Sequence, residues 1–137
     1  MDIESVNQVY DRIGDEPIMQ LVTLFYDKVK HDTTLRPLYR DDLDIPVLHL
    51  QQYLIQRFGG PTEYEQNRGS PRLKFRHVPF PIGQDERDQW MKLMRQAVEE
   101  SKFADYPEIK QIVLEFFENT STRLINNKKF LIGGKST

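Results

Sequence analysis

Apolar residues recur at intervals of three and four along much of the chain, the spacing that places them on one face of an α-helix. The pattern predicts four long amphipathic helices, within residues 18–29, 47–58, 90–98 and 109–124. A shorter helix of the same kind is expected before Gly14, because glycine commonly ends a helix. The sequence has no alternating strand pattern with hairpin turns, so it predicts an all-α fold.

The length of 137 residues allows one hydrophobic core but not two independent ones. We therefore expect a single domain over residues 1–130, followed by a disordered C-terminal tail over residues 131–137. The connections between the predicted helices are unequal in length. This favours an irregular helical globule over an up-down bundle, whose connections are short and uniform.

Charge and cysteine content exclude several classes of function. A formal net charge of −2 lacks the basic field typical of nucleic-acid-binding proteins, so we expect no nucleic-acid partner. Without cysteine there is no disulfide, thiolate-ligated zinc or iron–sulfur cluster. The acidic N-terminus lacks the apolar run of a secretory signal, and no stretch approaches the roughly 20 apolar residues of a membrane span. We expect a cytoplasmic protein with no membrane partner.

The least regular part of the sequence is residues 62–83, where prolines and glycines interrupt the helical pattern. An irregular stretch of this length beside a helical core is usually functional. It contains His77, which lies between Pro71 and Pro79. A histidine held in this way can present one ring nitrogen to a metal while the other donates to a backbone carbonyl. The alternatives are a core histidine, or one that stabilises the C-terminus of a helix.

The chain has only three histidines, in different contexts. His31 is predicted to be exposed, and His49 lies off the apolar face of its helix. Because a zinc or non-haem iron site needs three or four protein ligands, these contexts favour a site with a single one. Haem iron with one axial histidine is such a site. Aromatic residues make up 11% of the chain and can line an apolar slot for haem, or simply fill an aromatic-rich core.

Three large side chains with polar tips, Tyr26, Tyr39 and Trp90, lie on otherwise apolar helix faces. Buried tyrosine and tryptophan must find hydrogen-bond partners for O–H and N–H. If these groups converge on one cavity, they can donate to a polar ligand held there. Each could instead be a core aromatic whose tip reaches a backbone carbonyl.

A group of basic residues surrounds His77 within the short stretch 68–76. Two haem propionates beside the histidine would match these cations, since guanidinium pairs with carboxylates in a forked geometry. A solvated face or a phosphate-binding patch accounts for them equally well. The basic residues are Arg68, Arg72, Lys74 and Arg76.

Several short motifs follow one another in a characteristic order over residues 3–127. They are Phe25-Tyr26, Leu35-Arg36-Pro37-Leu38-Tyr39, Gly59-Gly60-Pro61, Arg68-Gly69, Pro71-Arg72-Leu73, Arg76-His77-Val78-Pro79-Phe80 and Glu86-Arg87-Asp88-Gln89-Trp90. In this order and spacing the chain resembles a group II truncated haemoglobin, a member of the truncated globin family. The resemblance implies a truncated globin domain over residues 1–130, a two-over-two helical sandwich around haem b.

The resemblance also implies which residues contact the haem. His77 matches the proximal ligand of the iron, and Arg76 matches the residue that pairs with a propionate, with Tyr64 helping there. Five further side chains are expected to form apolar contacts with the haem. These are Leu54, Phe58, Leu73, Phe80 and Met94.

On the opposite, distal side, the resemblance assigns Tyr26, Tyr39 and Trp90 to the stabilisation of the bound gas. Many globins place a distal histidine or glutamine on the helix that here carries Pro46 and Leu50, neither of which donates a side-chain hydrogen bond. Stabilisation of the ligand is therefore expected to depend on the two phenols and the indole alone.

The leading hypothesis is a haem protein, monomeric or homodimeric, that reversibly binds dioxygen, nitric oxide or carbon monoxide. A second hypothesis is a haem-dependent redox enzyme, a nitric-oxide dioxygenase or peroxidase-like protein with a reductase partner, although the sequence shows no charged acid–base pair for it. A third is a haem-free helical interaction module whose basic segment 68–76 binds an acidic partner or phosphate.

Overall fold

The computed structural model of the chain describes residues 6–39, 42–61, 83–123 and 125. In these residues the fold is all-α, as predicted, and the four long helices lie where the apolar spacing places them. The predicted irregular segment around His77 and the predicted tail lie outside the described residues, apart from Gly83. The helices are α1 (Val9–Ile13), α2 (Glu16–Val29), α3 (Asp44–Arg57), α4 (Gln84–Glu100) and α5 (Pro107–Arg123), with 3-10 turns at Val6–Gln8, Arg36–Leu38 and Lys102–Asp105.

Helix α2 lies at the centre of the packing, against α3 on one side and α4 on another, and α4 packs in turn against α5. Its buried residues follow the i, i+3, i+4 pattern, since Ile18, Leu21, Val22 and Phe25 are all fully buried. The predicted apolar faces of the other long helices meet this face in one continuous core. Within the described ranges, every helix is too short or too polar to span a membrane.

A short 3-10 turn over Arg36–Leu38 follows α2. Leu35 is only 2% exposed and anchors the turn in the core. The turn is closed by backbone hydrogen bonds from Leu38 N to Leu35 O (3.0 Å) and from Tyr39 N to Arg36 O (3.1 Å). Arg36 also donates through Nη1 to the Tyr39 carbonyl at 2.8 Å. These bonds fix the backbone from which Tyr39 projects.

Helix α3 ends just before the motif Gly59-Gly60-Pro61, and the structure shows why glycine is needed there. Gly59 has a φ of 103°, a left-handed conformation that side chains with a Cβ rarely adopt. A Cβ at this position would also overlap the backbone oxygen of Asn7. Next to it, Tyr10 N donates to Phe58 O at 2.8 Å. The end of α3 is thereby held against α1.

Helices α4 and α5 are joined at their surface by ion pairs of Glu118. Arg87 Nη2 lies 2.8 Å from one carboxylate oxygen of Glu118, and Arg95 Nη2 lies 3.1 Å from the other. These two guanidinium groups, Arg87 more than Arg95, hold the pKa of Glu118 below its ordinary value. Because Glu118 is about half exposed, screening by solvent makes its contribution to stability small.

Candidate functional site

Tyr26 and Tyr39 come together in the structure as a pair of phenols, of which Tyr26 is buried and Tyr39 is partly buried. Tyr26 lies on the inner face of α2 and is 8% exposed, and Tyr39 follows the 3-10 turn. The two rings pack edge to face, with centroids 5.8 Å apart and an interplanar angle of 82°. A hydrogen bond between the two side chains contributes to the pKa of each. The sequence places the two tyrosines on different elements, and the fold makes them one unit.

Burial determines the protonation state of this pair. It raises the pKa of Tyr26 well above the ordinary value of 10.0, and the neighbouring Tyr39 raises it further. Burial also raises the pKa of Tyr39, partly offset by its hydrogen bond with Tyr26. A group in a low-dielectric environment resists ionisation, so both phenols stay neutral at physiological pH. They are therefore suited to donate hydrogen bonds and unsuited to act as bases.

Trp90 joins the same cluster through Phe25. The ring of Phe25 lies 5.0 Å from that of Tyr26 and 5.1 Å from that of Trp90, edge to face in both cases. Residue 25 is on α2 and residue 90 on α4, so the packing of these two helices sets the position of the indole relative to the phenols. All three predicted donors thus belong to one aromatic cluster, although they come from three separate elements.

Phe117, a residue of α5, connects this cluster to the end of α3. Phe117 lies 5.7 Å from Trp90 and 6.4 Å from Phe58, measured between ring centroids. Leu54, one helical turn before Phe58, and Met94, one turn after Trp90, share the faces of these two residues. Leu54, Phe58 and Met94 are all fully buried. These three predicted wall residues therefore belong to the apolar surroundings of the donors.

The described part of the site fits a flat apolar group that carries a small polar ligand, as haem does. Its walls are aliphatic and aromatic, and its polar atoms are phenol and indole donors without formal charge. Such donors interact strongly where water is excluded. The remaining predicted residues of the site lie outside the described residues. They are Tyr64, Leu73, Arg76, His77 and Phe80.

Two features of the site were missed at the level of sequence. The first is that Phe25 connects Tyr26 to Trp90 and Phe117 connects Trp90 to Phe58, although only the apolar spacing of the two phenylalanines could be read from the sequence. The second is a hydrogen bond from the Gln89 side chain to the Asp32 carboxylate, between residues 57 positions apart. An aspartate just after a helix signals a turn, but no sequence pattern indicates its bond to Gln89. Of the other histidines, His31 is exposed as predicted and His49 is partly buried.

Comparison with known families agrees with this geometry. Residues 8–126 match the sequence profile of the family described as "Bacterial-like globin". The chain is 33% identical over 123 residues to a group 2 truncated hemoglobin of Bacillus subtilis (strain 168), and this match covers 90% of this chain and 92% of the relative. It is 28% identical over 122 residues to the two-on-two hemoglobin-3 of Arabidopsis thaliana, covering 87% of this chain and 69% of that protein.

Solved structures give the same result. The hemoglobin of the thermophilic phototrophic bacterium Chloroflexus aurantiacus superposes with a TM-score of 0.81 at 37% identity, over 87% of this chain and 98% of the other. A truncated haemoglobin from Bacillus subtilis, described as oxygen-avid, superposes with a TM-score of 0.81 at 33% identity, over 87% of this chain and 99% of the other.

Proposed function

Because the chain belongs to the bacterial-like globin family, as a group II truncated globin, we propose that it carries haem b ligated by His77 and binds dioxygen reversibly. Membership of this family by itself establishes haem binding and a diatomic gas as the ligand, and it removes the hypothesis of a haem-free interaction module. The observation that supports the finer proposal is that two neutral phenols and one indole lie in the same apolar cluster.

Haem supplies an iron that takes up one diatomic molecule. The phenols of Tyr26 and Tyr39 and the indole of Trp90 keep their protons. Each phenol has one O–H, and one of the two is donated within the tyrosine pair, so the pair offers one donor to the gas and Trp90 offers a second. In a pocket without water, each such donor adds about 1–3 kcal/mol to retention of a ligand that carries partial negative charge. The effect falls mainly on dissociation, so we expect slow release. The relative from Bacillus subtilis described as oxygen-avid supports this expectation.

The apolar side chains have a separate task. Leu54, Phe58 and Met94, all fully buried, pack against the flat group and keep water away from the donors. The proximal assignments, His77 as the iron ligand and Arg76 at a propionate, come from the resemblance of the motif around them. Three further haem contacts are proposed on the same basis. They are Tyr64, Leu73 and Phe80.

The first experiment tests the ligand of the iron. Purified protein should show a strong haem absorption band, and His77→Gly should lose stable haem binding. Free imidazole added to this variant should restore the haem spectrum, because it replaces the missing ring. A His77→Gly variant that purifies with stoichiometric haem and ignores imidazole would show that another residue ligates the iron.

The second experiment tests the donors. Trp90→Phe keeps an aromatic ring but removes the N–H together with the rest of the pyrrole part of the indole. Stopped-flow measurement should show dioxygen dissociation about tenfold faster, the equivalent of about 1.4 kcal/mol. Phe116→Leu is the control, because it changes another ring of the same cluster that has no donor. Its dissociation rate should stay close to that of the wild type. Equal rates in wild type and Trp90→Phe would exclude the indole as a donor.

Turnover as a redox enzyme is a weaker candidate. General acid–base assistance needs a group that exchanges a proton near neutral pH, and burial moves both phenols away from that range. A reductase partner and the choice between monomer and homodimer stay predictions.

A further inference from the structure

The carboxylate of Asp32 forms hydrogen bonds in two directions. Through Oδ2 it accepts from the backbone N–H groups of Thr34 (3.1 Å) and Leu35 (2.9 Å), which closes the start of the turn after α2. Through Oδ1 it accepts from Nε2 of Gln89 on α4. Both Asp32 and Gln89 are partly buried. The carboxylate thus joins a loop to a helix that is distant in sequence.

Both ends of this connection lie next to a proposed gas-stabilising residue. On the loop, the Asp32 carbonyl accepts from Arg36 N at 3.0 Å, and the Arg36 carbonyl accepts from Tyr39 N at 3.1 Å. On the helix, Gln89 directly precedes Trp90. A short series of hydrogen bonds therefore runs from the backbone of Tyr39 to the helical turn that carries the indole.

We propose that Asp32 and Gln89 are positioning residues that set the placement of Tyr39 relative to Trp90, and thereby the rate at which the gas dissociates. The inference rests on the proposed function. A hydrogen bond to a carboxylate is stronger than one between neutral groups, and partial burial limits competition from water. The contrast is the Lys28–Glu100 ion pair, which joins α2 itself to α4 but lies at the far end of α4 and involves an exposed carboxylate.

The first test removes only the bond between loop and helix. Gln89→Met keeps the length of the side chain and leaves the bonds of Asp32 to the turn in place. Dioxygen dissociation should become about two- to tenfold faster, the range expected for one hydrogen bond. Gln84→Met is the matched control, because Gln84 forms the same amide–carboxylate bond, to Asp88, entirely within α4. Its rate should equal that of the wild type.

The second test reverses the bond. Gln89→Glu places two carboxylates against each other and should also accelerate dissociation. Adding Asp32→Asn should restore the slow rate, because the asparagine amide can donate to the new carboxylate while its oxygen still accepts from the turn. Restoration of this kind is expected of a specific bond and not of general destabilisation. A double variant as fast as Gln89→Glu alone would overturn the inference.

A third measurement does not depend on bound gas. Trp90 is the only tryptophan of the chain, so tryptophan fluorescence of the haem-free protein reports on this ring alone. Gln89→Met should shift its emission to longer wavelength and make it easier to quench with acrylamide, and Gln84→Met should not. If emission and dissociation rate are both unchanged in Gln89→Met while Trp90→Phe is fast, the positioning role is wrong and the proposed function stands. If the wild type retains no haem, the proposed function fails and this inference fails with it.

Discussion

Replacing the two phenols of the site one at a time and together provides the sharpest test of the buried pair. Tyr26→Phe and Tyr39→Phe each remove one oxygen and leave the edge-to-face packing of the rings in place. Because the two hydroxyl groups share a hydrogen bond, either substitution abolishes it. The phenol that remains loses its partner among apolar side chains. Water can replace that partner less easily at Tyr26, which is 8% exposed, than at Tyr39, which is only partly buried.

The expected size of the effect follows from burial. Loss of one partner in a buried hydrogen bond costs about 1–3 kcal/mol, whereas replacing both partners by apolar groups of the same shape costs little more. Each single variant should therefore lower the free energy of unfolding by about 1–3 kcal/mol. The double variant should be more stable than the sum of the two losses predicts, with a coupling energy of about 1 kcal/mol.

The assay is chemical denaturation of the four proteins at one fixed haem concentration, because haem binding itself changes apparent stability. Circular dichroism of the helices follows unfolding, and the dioxygen dissociation rate is measured on the same samples. The rate should show the same departure from additivity if the phenols act on the gas as a unit. Additive losses in both stability and rate would refute the shared hydrogen bond as the basis of the site.

Three further predictions concern the fold and its pH dependence. Gly59→Ala should lower the free energy of unfolding by the roughly 1–3 kcal/mol of a strained backbone conformation and by a further cost of overlap with Asn7. Gly14→Ala, whose Cβ meets no neighbour within 4 Å, should cost less. Arg87 lowers the pKa of Glu118, so the free energy of unfolding should decrease as pH falls below about 4.5. Urea titrations at a series of pH values should show a smaller decrease in Glu118→Gln than in the wild type. The raised pKa of the two phenols should leave the rate of dioxygen dissociation unchanged up to about pH 9, with stability lost only above about pH 10. A rate that rises between neutral pH and about pH 9 in the wild type but not in the double variant Tyr26→Phe/Tyr39→Phe would contradict this.

The sequence was most informative where local chemistry decides the structure. The spacing of Ile18, Leu21, Val22 and Phe25 predicted the buried face of α2, because helical geometry alone brings such residues together. The glycines after α3 are visible in the sequence, but the contact that requires Gly59 is with Asn7, far away in the chain. Periodicity identifies faces, but it does not say which faces meet.

The proposed donors illustrate the same limit. Tyr26, Tyr39 and Trp90 were selected because polar tips on apolar faces need partners, and because the motifs around them resemble those of a family. That Tyr26 and Tyr39 share a hydrogen bond, and that Phe25 separates them from Trp90, depends on the angle at which α2 meets α4 and on a turn only a few residues long. Neither feature has a signature in residue spacing.

The sequence by itself determined an all-α chain, the positions of its long helices and its membership of the truncated globins, since these depend on local helix propensity, periodicity and short motifs. Only the tertiary structure decided that two phenols become one neutral pair and that Asp32 is bonded to Gln89. Hydrogen bonds and changes in pKa depend on distance and on exclusion of water, and both are set when elements far apart in sequence pack together.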